Sequence, residues 1–172
     1  MGGEIDGYGI APVNPFMGDF FGQVADIKRT MENVKRNISE LEDKQSKALT
    51  DVYGGGDFKQ EIEDLTDDTN AMSTRVRNQL KELAAALEQQ KAEDPGAEAT
   101  SDFKIRRNMH RSLTKNFAET MQDYQDGQTK DENKYRETVK RQFKICKPHA
   151  TQEEVDQVLE GGDEVFTEHM LA

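Results

Sequence analysis

Three histidines, one cysteine and many carboxylates are the side chains of this 172-residue chain that could do chemistry. A metal site would need two or more of His110, Cys146, His149 and His169 at ligand spacing, and they show none. His110 is expected to sit in a helix seam instead. Nucleotide binding would need a glycine-rich loop between a strand and a helix, whereas Gly54-Gly55-Gly56 separates two helical patterns. Carboxylates on solvated helix faces lack the burial that tunes acid–base catalysts. No catalytic constellation emerges, no enzyme activity is expected, and neither cofactor nor metal is implied. The single cysteine, Cys146, cannot form an internal disulfide, which suits a reducing compartment; it is expected to pack as a small apolar group.

The elements that carry these side chains are helices. Apolar residues recur at steps of four and three through Phe20, Val24, Ile27, Met31, Val34, Ile38, Leu41, Ala48 and Val52, with Gln45 the one polar member. Such a period predicts one long helix with a seam for other helices. Asn14 offers its N-cap and Pro15 its first position, and the glycine run 54–56 is expected to end it, giving a helix over about 15–53. Asp57 and Gln60 form a capping-box-like pair for a second helix over about 57–91. Its seam runs through Phe58, Ile62, Leu65, Met72, Val76, Leu80, Leu83 and Leu87, interrupted by Thr69 and Gln79.

A third helix, about 102–146, carries Phe103, Ile105, Met109, Leu113, Phe117, Met121, Tyr124, Tyr135, Val139, Phe143 and Ile145, and Pro148 limits it. Its middle, Gln125 to Lys134, has no apolar residue and is expected to project or to pack loosely. Lys134, Arg136, Lys140, Arg141, Lys144 and Lys147 crowd its end, either as a solvated face matched to the helix dipole or as a docking site for an acidic partner. Thr151 and Glu154 form a capping box for a short helix over about 152–160, closed by Gly161-Gly162. Residues 1–14, rich in glycine and aperiodic, read as a flexible tail. The expected architecture is all-α, an antiparallel up-down-up three-helix bundle over 15–147 followed by a linker over 148–172.

Composition agrees. Hydrophobic and charged residues make up 34% and 33% of the chain and there is no tryptophan, a lean mixture that suits amphipathic helices with thin seams. A net charge of −11 repels nucleic acid and anionic lipid. No run approaches the roughly 20 apolar residues that span a bilayer, nor is there a signal peptide, so the chain as given is expected to be soluble.

The order of elements, with several motifs, resembles the N-terminal Habc regulatory region of the plasma-membrane syntaxins, the Qa-SNAREs. The residues are Phe16-Met17-Gly18-Asp19-Phe20-Phe21-Gly22-Gln23-Val24 in the first helix and Val76-Arg77-Asn78-Gln79-Leu80-Lys81 in the second. In the third they are Ile105-Arg106, His110, Leu113, Phe117, Met121, Tyr124, Gln128, Tyr135 and Arg141-Gln142. Glu153 to Glu160, with Phe166 beyond, is similar to the helix that joins Habc to the SNARE motif. The family's SNARE helix and membrane anchor are absent, so the chain looks like a fragment ending inside the linker. Residues 1–15 show nothing like the Asp-Arg-Thr-type peptide that docks a Sec/Munc (SM) protein.

The resemblance implies a regulatory domain in vesicle fusion and exocytosis, on the cytoplasmic face of a membrane, most simply the plasma membrane. A groove between the second and third helices would receive the protein's own SNARE helix, holding a closed state. The candidate groove residues are Val76, Leu80, Leu87, Ile105, Met109, Leu113 and Met121, and Leu159, Glu160 and Phe166 are candidate latch residues of the linker. Phe20, Val24, Ile27, Met31, Val34, Ile38, Leu41, Leu65, Met72, Leu83, Phe117 and Tyr124 are expected to form the core seam. Implied partners are that SNARE motif, an SM-family protein and, through the missing motif, a SNAP-type Q-SNARE and a synaptobrevin-type R-SNARE. The alternative is a generic helical scaffold such as a spectrin-like module, although such repeats come in arrays and keep large aromatics in the seam. A membrane-bending crescent would need a cationic concave face.

Overall fold

A computed structural model describes residues 15–50 and 55–171, with side chains for 17–50 and 58–162. Pro15 opens α1, Pro15–Thr50, whose 36 residues span about 54 Å at the usual helical rise. The second helix, α2, runs Gly55–Glu93, and α3 runs Ser101–Cys146. A fourth, α4, covers Gln152–Leu171 with one break at Gly162. The fold is all-α, three long antiparallel helices and a shorter one, with no strand among the described residues. Residues 1–14 and 51–54 lie outside the described residues, as do the side chains of Asp57 and of Val165, Phe166, Met170 and Leu171.

One boundary differs from expectation. Gly55 and Gly56 belong to the first turn of α2 instead of a terminating loop. A glycine in a helix interior costs about 1 kcal/mol against alanine, and these two stand at the helix end instead. Between α2 and α3 the chain makes a short 3-10 turn, Ala97–Ala99. Asp94 Oδ1 accepts from the Gly96 amide at 2.9 Å, and the hydroxyl of Thr100 caps α3 by accepting from the Phe103 amide at 3.2 Å. Leu87, Ala97 and Phe103 form a small core under that turn.

The chain divides into two compact units, each built from parts of all three long helices. In the first (1–36 and 68–119), Phe20, Val24, Ile27, Met31 and Val34 of α1 are buried with Val76, Leu80, Leu83 and Leu87 of α2 and Leu113 and Phe117 of α3. Burying a side chain of this size removes about 1.5–3 kcal/mol of unfavourable hydration. Thr69 and Ser73 are buried there too, with the Ser73 hydroxyl donating to the Thr69 carbonyl at 2.7 Å, while Met72 is half-buried. Thr69, which breaks the apolar pattern of α2, is thus an interior residue.

In the second unit (37–67 and 120–172), Leu41 and Tyr124 are buried, and Ile38 and Leu65 half-buried. The apolar-free middle of α3 packs through polar groups instead of projecting. Gln45 turns its amide toward Asp131 and toward the Leu41 carbonyl, and Gly127 leaves so little room that a Cβ there would stand 3.2 Å from Glu42.

α4 begins with the predicted capping box. Thr151 N–H donates to Glu154 Oε2 at 2.8 Å, and Glu154 N–H to Thr151 Oγ1 at 3.3 Å. Its apolar edge then closes on α3, where Phe143, Val155 and Val158 are buried together with Val139, Ala150 and Leu159 against them. The short helix ends at the Gly161-Gly162 pair as expected, where Gly162 leaves helical geometry with φ 66° and ψ −157°, and a further helical stretch follows to Leu171.

Candidate functional site

The seven candidate groove residues separate by burial. In the first unit Val76, Leu80, Leu87 and Leu113 are buried, so they serve the interior and present no surface as they stand. Ile105 is 44% exposed and Met109 half-buried. Met109 and Leu113 line a cleft of about 380 Å³ whose other wall is Val24, Lys28, Met31, Glu32 and Lys35 of α1. That cleft lies between α1 and α3, where the sequence predicts a groove between the second and third helices. The turn of α3 explains it: His110, next to Met109, points to α2, its Nε2 meeting the Leu80 carbonyl at 3.0 Å. A carbonyl only accepts, so Nε2 carries the hydrogen. Met121, in the second unit, is half-buried.

Of the latch candidates, Leu159 packs against the Phe143, Val155 and Val158 cluster, and Glu160 is exposed. Phe166 lies outside the described side chains. Cys146 is exposed on the last turn of α3, against the expectation that it packs as a small apolar group. Its neighbour Ile145 is 72% exposed, because Phe143 is the member of that turn that faces α4.

Polar pairs between helices are what the apolar pattern did not reveal. Asp26 on α1 collects Arg75 Nη2 and Gln79 Nε2 from α2, each at 2.7 Å, and Arg29 from its own helix. Hydrogen bonds from Gln79, then Arg29 and Arg75, hold its carboxyl at about 2 instead of 3.8. Gln79 was visible only as an interruption of the α2 seam. In the second unit Lys44 Nζ reaches Glu61 Oε2 at 2.6 Å, which raises the lysine pKa. Burial pushes the Asp131 carboxyl up, with Lys134 at 3.9 Å opposing and Glu42 reinforcing.

Phe21 stands 43% exposed, its ring edge-on to the buried Phe20 at 5.7 Å between centroids. Among the described residues no group of three or more His, Cys, Asp or Glu is placed to hold a metal ion, and no helix is long and apolar enough to cross a membrane.

Three long antiparallel helices with a fourth closed on the third, carrying helix-facing seams, define a helical interaction domain. The syntaxin family model matches residues 14–171, and the chain belongs to the syntaxin family. Syntaxins are membrane-trafficking SNARE proteins and not a family of enzymes. The fold is also similar to a chain in the crystal structure of the Unc18-syntaxin 1 complex from Monosiga brevicollis. That match has a TM-score of 0.78 and 25% sequence identity, and covers 92% of this chain and 74% of the other.

Proposed function

We propose that this chain is the autoinhibitory Habc half of a target-membrane SNARE of the plasma-membrane type. It holds its own SNARE helix in a closed state and contributes to binding an SM-family regulator. The similarity to a chain of the Unc18-syntaxin 1 complex over 92% of its length is the observation that supports this most directly. On this reading residues 1–14 are a tail, 15–147 the regulatory bundle and 148–172 the linker to a SNARE motif that pairs with SNAP-type and synaptobrevin-type partners.

In the first unit the SNARE helix would lie along α3, with Ile105 and Met109 its accessible apolar contacts and Val76, Leu80, Leu87 and Leu113 the interior beneath them; Met121 would add a contact in the second unit. Leu159 would latch the linker to α3, with Glu160 and Phe166 as further latch groups. A tethered helix needs only modest affinity, since a linker supplies an effective concentration around the millimolar level.

The test titrates a separate peptide of the matching SNARE motif into the chain. Ile105→Glu, at an exposed position, is expected to weaken binding at least about tenfold, the scale for burying a charge against an apolar contact, while leaving the melting curve unchanged. No binding by the wild type at high micromolar peptide counts against the closed state. For the regulator, light scattering of the chain mixed with an SM protein, with and without the SNARE motif restored, is expected to show a complex with the longer form.

A further inference from the structure

From Lys134 to Lys147 six cations stand against one anion, Glu137, in a chain whose net charge is −11. The helix dipole accounts for Lys144, in the last turn of α3, but its effect fades within a turn and leaves Arg136 and Lys140 unexplained. Arg136, Lys140, Lys144 and Lys147 succeed one another at steps of four, four and three, which puts them in one row on the helix surface. Lys147 stays in that row because its amide still donates to the Phe143 carbonyl at 2.8 Å. Phe143 and Val139 occupy the flank that α4 covers, and the row runs along the border of that contact, with Arg136 and Lys144 exposed and Lys140 and Lys147 half-buried.

Lys134 pairs with Asp131, but Arg136, Lys140, Arg141, Lys144 and Lys147 meet no carboxylate among the described residues. Cations elsewhere are drawn to neighbouring elements: Arg75 to Asp26, Lys44 to Glu61 and Lys91 to Glu98.

We propose that this row is a docking surface for an acidic segment of a partner protein, one helix wide, with carboxylates facing the cations. Charge complementarity selects the occupant. An anionic bilayer would present its charge to a chain whose net charge is −11, whereas a narrow segment meets the row alone, and beyond about 8 Å the rest is screened at physiological salt. The surface is independent of the closed-state reading, since it uses none of the residues assigned to the SNARE-helix contact.

The test measures fluorescence anisotropy of a labelled helical peptide of about 20 residues, with glutamates at the matching spacing. The intact chain is expected to bind it saturably, and Lys140→Glu with Lys144→Glu to weaken binding at least about tenfold. Lys28→Glu with Lys35→Glu, the same change of net charge on α1, is expected to leave it within about twofold. Ile145→Ala, on the opposite side of α3, is expected to leave it within about twofold. Absent binding, equal loss in both charge-reversed pairs, or binding to phosphatidylserine vesicles in preference to the peptide would overturn the proposal.

Discussion

Asp26 shows how one side chain can set a helix register. Three donors converge on a carboxylate at the edge of the α1 seam, and two of them come from α2. Because Arg75 and Gln79 stand one turn apart, an α2 displaced by one turn would bring only one of them to it. Its folded pKa of about 2 lies below the ordinary 3.8, so its contribution to stability is complete above pH 4 and is lost as the pH falls through 2. Asp26→Asn is expected to lower the melting temperature at pH 7 and to flatten the acid limb, the two proteins converging near pH 2. Thermal melts across that range check this, and parallel curves at every pH would refute it. The sequence shows Asp26 only as an acidic neighbour of Ile27; its partners are about fifty residues away (separations of 49 and 53), beyond what local periodicity can register.

At the scale of elements, the apolar period suffices for α1 because Phe20, Val24, Ile27, Met31 and Val34 fall on a face that packing then buries. The capping box of α4 was equally legible, since Thr151 and Glu154 answer each other within a single turn. What stayed hidden was which face a lone apolar residue takes: Ile145 and Ile105 look like their buried neighbours Phe143 and Phe103, yet stand outside the seam. The middle of α3 was hidden for a related reason, because Gln45 and Asp131 form a contact that no apolar pattern announces. The candidate groove suffered most, four of its seven residues proving to be interior. Packing of α4 rests on Phe143, which has 0% exposure. Phe143→Ala is expected to cost about 3–5 kcal/mol in urea unfolding and to strip amide-exchange protection from residues 155–160. Unchanged protection there would show that α4 is held by something other than this cluster.

For the molecule as a whole, a net charge of −11 means that like charges crowd one another more in the folded chain than in the unfolded one. The melting temperature at pH 7 is expected to rise between about 20 and about 300 mM sodium chloride as this repulsion is screened; a fall would mean that the cross-helix pairs at Asp26 and Lys44 outweigh it. Gly162 gives the molecule a mechanical property as well. Its φ of 66° and ψ of −157° belong to a region that only glycine occupies readily, although a Cβ there would touch nothing within 4 Å. Any other residue at 162 would therefore oppose the kink through its own backbone and not through a neighbour, and would leave the Phe143, Val155 and Val158 cluster, which precedes it, untouched.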